Sequence, residues 1–296
     1  MLVFDSGNAL FKFPGAADAQ STERAKFILQ KMGALQTKAF VVGQRDLNAG
    51  AVWLAREAKA SGVTALSANL VGPDDKPLFA PSTIVDVDGT KIAFIGITAP
   101  GNYGEATARP ILPAARNELL KLKGKANITI VLAATSFADA LQLSNELKGQ
   151  IDFVAQSGEV RGMGIAQKGP GNFVLPSGER GRAVGRLDLT LSAPTGPFGD
   201  LSEQERAAQI VQIITRQLDE VQKRKAAAKD AAVKAELDKT AKDFETRKKQ
   251  AEADMKAAKA SRAFKLSFVG LGSDVIDDPE WQKEIDRIDP PAQRGH

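Results

Sequence analysis

The chain has 296 residues, 43% of them hydrophobic and 26% charged, with a formal net charge of +4. That length suits one large domain with an appendage, or two domains, of ordinary globular composition. Cysteine is absent and the single histidine is the terminal His296, which excludes disulfides, thiolate metal sites and a cysteine nucleophile, and leaves no imidazole inside the fold for proton transfer.

Residues 201–262 hold 15 Lys/Arg and 11 Asp/Glu, so the whole net charge of +4 resides there. A nucleic-acid surface needs a stronger basic patch interleaved with aromatics, and none is present. No apolar run approaches the roughly 18 residues of a membrane span. The N-terminus carries no basic region followed by an apolar core, so it reads as lacking a signal peptide.

In chain order, residues 1–4 form a short apolar strand that ends at Asp5-Ser6-Gly7-Asn8. Residues 21–31 read as a helix capped by Ser21 or Thr22, with Ala25, Ile28, Leu29 and Met32 at helical spacing. Residues 39–42 are a buried strand. The loop that follows, within VVGQRDLNAG (41–50), holds Gln44, Arg45, Asp46 and Asn48, and a helix over 51–61 succeeds it. Sites in open α/β sheets sit at the carboxyl ends of strands, so this loop is where chemistry is expected.

Further strands are expected at 63–69, 82–87, 91–98, 128–132, 151–154, 172–175 and 184–191, and helices at 114–123 and 138–147, with a loop at 100–104. Asp88-Gly89-Thr90 joins two of the strands as a hairpin. This alternation predicts an α/β (α+β) fold, a mixed-sheet sandwich flanked by helices. From 201 to 262 there is neither Gly nor Pro, and high helix propensity predicts an antiparallel helical hairpin that turns near 226–232. Its stripes are Ile210, Ile213, Ile214, Leu218 and Val221 on the first arm, and Val233, Leu237, Phe244, Ala251 and Met255 on the second. A strand at 264–271, a helix at 279–288 and a tail complete the chain. The expected division is 1–198, 199–263 and 264–296.

Residues 66–100, LSANLVGPDDKPLFAPSTIVDVDGTKIAFIGITAP, resemble a segment of the bacterial 5'-nucleotidase branch of the calcineurin-like metallophosphoesterases, where an LSAN strand leads through a hairpin to a GIT-P strand end. Three neighbours agree in order. FDSGNALF (4–11) is similar to the family's D-A-G-D-x-F, GQRDLNAG (43–50) to G-N-H-E-F-D-x-G, and IDFVAQSGEV (151–160) to I-D-L-I-I-G-G-H-S-H. GRLDLT (185–190) fits the closing strand. The hairpin and the helix at 279–288 resemble, more weakly, the arm of a related branch often coupled to multihaem cytochromes.

The resemblance implies a metallophosphoesterase-like β-sandwich that binds two divalent metal ions and generates a hydroxide that attacks phosphorus. It also implies an exported or periplasmic protein, against the absence of a visible signal peptide. The chain departs from the pattern at each ligand position that aligns. The bridging Asp position is Asn8, the Asn ligand is Gln44, and the His that protonates the leaving group is Arg45, which has no proton to give at neutral pH. A later His position is Ala134, and both histidines of G-H-x-H are replaced, by Gly158 and Val160. The opening D-x-H strand has no counterpart, and the sheet edge beside Leu2 is expected to recruit another strand, either residues 264–271 or one from a partner chain.

These departures predict a catalytically degenerate scaffold or protein-interaction module with no metal cofactor, whose helical arm mediates contact with a protein partner or self-association, without nucleic acid or a membrane span. Two alternatives stand beside it. One is an active metal-dependent phosphoesterase or 5'-nucleotidase with unusual ligands, acting on nucleotides with a metal near Asn8, Gln44 and Asp46; the residual cleft, Asp5, Asn8, Asp46, Asn48 and Glu159, offers hard oxygen ligands that suit Mg²⁺ or Ca²⁺. The other is a non-hydrolysing nucleotide or anion pocket using Arg45, Arg161, Arg180 and Arg182. Against both, Asp5, Asp46 and Asn48 are residue types that favour loops and helix caps by bonding local backbone.

Overall fold

A computed structural model describes residues 1–158, 164–178, 181–257 and 261–290. The first sheet is built from β1 (Val3–Asp5), β2 (Thr37–Val41) and β3 (Ala65–Leu66), ordered β1-β2-β3 and all parallel. Crossover helices α1 (Ala19–Ala34) and α2 (Ala51–Ala60) connect these strands, as parallel neighbours require. A single 3₁₀ turn, Arg45–Leu47, lies between β2 and α2. The N-cap of α1 is Asp18 rather than the expected Ser21 or Thr22. Ser21 is instead the N3 residue of a capping box, exchanging hydrogen bonds with Asp18. Ser replaces the usual Glu at N3, which hides the cap from a motif reading.

Next come β4 (Leu70–Val71), β5 (Ser82–Val87), β6 (Thr90–Thr98), β7 (Gly101–Tyr103), β8 (Ala106–Ala108), α3 (Ile111–Leu122), β9 (Ile128–Ala134), α4 (Phe137–Glu146), β10 (Phe153–Ser157), β11 (Gln167–Lys168) and β12 (Phe173–Leu175). The second sheet has six strands in the order β11-β12-β10-β9-β6-β5. Its centre, β12-β10-β9-β6, is parallel, and both edges are antiparallel. Asp88 and Gly89 both have positive φ, 52° and 82°, as a two-residue type I′ hairpin requires. Two expectations fail nearby. Residues 100–104 are not simply loop, because β7 pairs with β8 in a small antiparallel sheet with β4. The strand at 63–69 shortens to Ala65–Leu66 because Ala68 leaves its line and donates to Gly96 O of the second sheet.

The two sheets pack face to face, β2 against β6 and β9, and Phe4 meets Phe94 with ring centroids 5.2 Å apart. Outside the first sheet, Leu29, Leu54 and Phe40 anchor one apolar cluster beneath α1 and α2. Outside the second, Ile95, Val131, Leu143 and Val154 anchor another beneath α3 and α4. The arrangement is the expected sandwich flanked by helices. Strands covered on both faces read as continuous apolar runs such as IAFIGIT and ITIVLAA.

The remaining elements are β13 (Ala183–Leu191), β14 (Phe198–Asp200), α5 (Leu201–Ala227), α6 (Ala231–Ala257), β15 (Arg262–Gly270) and α7 (Pro279–Ile288). The chain divides into two compact units, Met1–Gly185 with Phe268–His296, and Arg186–Ser267. In the first unit α7 lies on α1 through Arg24–Asp289 (2.6 Å), Lys31–Glu284 (2.6 Å) and Arg287–Glu23 (3.0 Å), with Lys31 over the Trp281 ring. In the second unit α5 and α6 pair as an antiparallel hairpin that turns at residues 228–230. The strand expected beside Leu2 is not there: β15 lies between β13 and β14. Its parallel register with β14 pairs Phe198 with Arg262 and Asp200 with Phe264, closing the base of the arm with its own two flanks. No described helix is long and apolar enough to cross a membrane.

Candidate functional site

Four strand ends meet where chemistry is expected, those of β1, β2, β9 and β10. The chain leaves β1 through Asp5-Ser6-Gly7-Asn8, and Asp5 turns it by accepting from Gly7 N at 2.7 Å. Gly7 has φ 88°, and a Cβ there would lie 2.5 Å from Val41 O and 3.0 Å from the Ala134 Cβ. This position therefore requires glycine on two counts, handedness and space. Asn8 follows in the left-handed region at φ 60°, which asparagine tolerates better than most residues.

Asp46 fixes the two loops to each other. It is fully buried, and its carboxylate accepts from Asn8 N (2.7 Å), Gly43 N (2.8 Å) and Leu10 N (2.9 Å). Burial pushes its pKa up to about 7, against the three N–H donors that pull it down, and the nearby Asp5 charge adds to the rise. Asp5 itself is pushed up to about 6 by burial, opposed by the Gly7 N–H. Three donors on one carboxylate leave little lone-pair capacity facing the cleft.

Asn8 is engaged on both faces of its amide. Its Oδ1 accepts from Arg45 N at 3.1 Å and its Nδ2 donates to Ser157 Oγ at 3.5 Å. Ser157 Oγ in turn donates to Ser6 O. Gly43 presses from the other side, where a Cβ would fall 2.5 Å from Asn8 Cγ. Gly158, at φ 113°, lies beside Asn8 Nδ2 and Thr135 O. The Arg45 guanidinium bends back over the β1 loop and donates to Asn8 O (2.7 Å) and Lys12 O (3.0 Å). Asn48 closes the same loop further out, donating to Phe13 O and accepting from Gly15 N.

Of the residues singled out from sequence, Asp5, Asn8, Arg45, Asp46, Ala134 and Gly158 thus come together. Gln44 is exposed, and Asn48 serves the outer loop. Glu159, Val160, Arg161, Arg180 and His296 lie outside the described residues. Sequence reading passed over Ser157 and Gln156. Gln156 is buried at the β10 end and donates to Thr135 O and Ser157 O, both at 3.0 Å. It also missed the buried set behind the site. Asn69 donates to Thr98 O and Arg109 O, Thr98 N and Ser67 donate to Asn69, and Thr98 Oγ1 donates to Val42 O. The polar residues inside IDFVAQS and LSAN were the available signal.

Among the described residues, no group of three or more His, Cys, Asp or Glu is placed to hold a metal ion. A scan of protein-family models and a search of curated proteins gave no match. Solved structures do match. A 5'-nucleotidase precursor of Thermus thermophilus superposes with TM-score 0.54 at 23% identity, covering 66% of this chain and 43% of that one. A sulfate thiohydrolase of the same organism gives 0.54 at 17%, over 64% and 36%. A calcineurin-like phosphoesterase of Bacillus subtilis gives 0.50 at 18%, over 66% and 73%. The chain spans less than half the length of the two Thermus proteins. Their differing names show why a shared fold does not name a reaction. What these likenesses establish is architecture: this chain has the fold of the 5'-nucleotidases and calcineurin-like phosphoesterases.

Proposed function

We propose that this chain is a catalytically degenerate 5'-nucleotidase-like phosphoesterase fold, acting as a scaffold or protein-interaction module. The observation that carries the reading is Asn8, which stands where the resemblance puts the carboxylate that bridges two metal ions. An amide supplies no charge to neutralise two cations, and this one is already hydrogen-bonded to Arg45 N and directed at Ser157. The rest of the donor set does not fit a pair of divalent ions. The Asp46 oxygens hold three backbone N–H groups, Ala134 and Gly158 offer no side-chain donor, and the Arg45 guanidinium is committed to two carbonyls. A permanent cation at that place repels a metal and has no proton for a leaving group. The nucleotide-pocket reading loses Arg45 for the same reason.

On this reading the fold persists for its surface, and the helical arm is its interaction element. The test is metal content by mass spectrometry after dialysis against Mn²⁺ and Zn²⁺, with phosphate release from nucleoside monophosphates measured on the same sample. The expected result is no stoichiometric metal and no release above buffer. Two metals per chain with turnover would overturn the reading.

A further inference from the structure

The sheet ordered β13-β15-β14 has one long free edge. Strand β13 has nine residues, AVGRLDLTL, and none of them is buried. Among the described strands its only neighbour is β15. At one end of the pair Ser192 N donates to Ser261 O, and at the other Leu271 N donates to Arg182 O, both at 2.8 Å. The same step along each strand separates the two bonds, so the pairing is antiparallel and runs without net slip. Hydrogen-bonded positions alternate along an antiparallel pair. These two bonds therefore assign the even-numbered residues of β13 to β15. The odd-numbered ones, Ala183, Gly185, Leu187, Leu189 and Leu191, turn their N–H and C=O groups to the free side.

A long edge of this kind is a template for another strand unless a bulge, a proline or a repeated charge guards it. No proline interrupts β13 and its pairing has no net bulge. Its two charges have opposite signs, Arg186 and Asp188, exposed and 2.9 Å apart on one face. Leu187 and Leu189 on the other face are only half-buried, and Leu191 is 38% exposed, because β13 has a neighbour on one side alone.

We propose that β13 pairs edge to edge with β13 of a second copy, antiparallel about a two-fold axis at Leu187, so that the two three-stranded sheets become one continuous sheet. The side chains select this register. A two-fold contact must complement itself. With the axis at Leu187, each Arg186 lies opposite the other copy's Asp188, at a position that is not hydrogen-bonded, where opposed side chains come closest. An axis at Arg186 or at Asp188 would instead set like charges against each other. On the leucine face Leu187 meets its own copy, Leu189 lies against Gly185, and Leu191 against Ala183, so large residues face small ones. All five outward-facing residues then both give and take a main-chain bond, about ten bonds across the axis, as many as a typical interface carries. The contact is narrow beside the roughly 800 Å² per partner of a standard stable interface, so the expected dimer is weak, with a dissociation constant on the order of 10 µM.

Sedimentation velocity on the full chain, from about 1 to about 300 µM, tests the proposal. The expected mass climbs from 31.5 kDa toward twice that value. Arg186→Asp sets acid against acid and Asp188→Arg sets base against base, each at an exposed position. Each variant alone is expected to associate at least tenfold more weakly than the parent. Mixed in equal amounts they pair with one another at least as tightly as the parent pairs with itself, because the two-fold register sets two acids against two bases. Amide exchange at Gly185, Leu187 and Leu189 slows as the parent is concentrated. A parent that stays monomeric at the highest concentration overturns the proposal. So does a dimer that both single variants leave intact, or one whose formation leaves those three amides exchanging as before. The proposal goes beyond the non-catalytic reading and does not depend on it, since mass is read separately from metal content and phosphate release.

Discussion

Asp46 is the residue on which the site's geometry depends most. Truncation to Ala leaves the N–H groups of Asn8, Leu10 and Gly43 without their acceptor, at about 1–3 kcal/mol for each buried donor. Asp46→Ala is therefore expected to lose at least about 3 kcal/mol in urea unfolding, and a loss below 1 kcal/mol would show that the two loops hold each other by other means. The same residue sets a pH dependence. Its folded pKa, about 7, and that of Asp5, about 6, lie above the ordinary aspartate value of 3.8. The folded state then holds protons that the unfolded chain has released, and stability falls as pH rises through this window. The denaturation midpoint is expected to decrease from about pH 4 to about pH 7 and to level off beyond, with a shallower decline in Asp46→Asn. Glu57, lowered by its hydrogen bond to Arg56, acts with the opposite sign and only in more acid solution. Gly7 gives a third test. Ala there meets both a positive φ and the Val41 carbonyl, so Gly7→Ala should destabilise by about 2 kcal/mol or more, whereas Gly15→Ala, with open space around it, should pay only for its φ.

At the scale of elements, the network at Asn69 ties β4 and β8 to the carboxyl end of β6. Asn69→Ala removes both donors to Thr98 O and Arg109 O and the acceptor for Thr98 N, and should cost about 2–4 kcal/mol, while Asn69→Asp keeps the acceptor and recovers part of the loss. A variant as stable as the parent would mean the sheets are pinned elsewhere. How far these elements were legible follows from what each depends on. The β5–β6 hairpin, α7 and the turn between α5 and α6 could be read because Asp-Gly, Asp-Pro and an unbroken Ala/Lys/Glu run are local signals. The β7–β8 pair could not, because Gly101 and Asn102 are residue types that strands disfavour and the segment is held by its partner. The stripe on α5 was read one face too wide, since periodicity shows which residues are apolar and not which of them the second helix reaches. In the site, the resemblance located Asn8, Arg45 and Gly158. Ser157 and Gln156 escaped because neither residue type signals metal or proton chemistry, and their role follows only from where β10 ends.

For the whole molecule, the division into two units makes unfolding separable by probe. Both tryptophans, Trp53 and Trp281, belong to the first unit. Trp53 packs on Phe11 and Trp281 on Lys31, so fluorescence follows that unit alone. Far-ultraviolet ellipticity is shared about equally between α5 and α6 in the second unit and the five helices described in the first. The hairpin is the thinner structure. Its large buried side chains are few, Ile214, Leu218 and Val221 on α5, and along α6 only Ala251 is fully covered among the described apolar residues. Helices in proteins are held mainly by such burial rather than by propensity. About half of the ellipticity is therefore expected to fall at lower urea than the fluorescence change, so that unfolding shows two transitions rather than one. Coincident curves at every protein concentration would mean that the units unfold together.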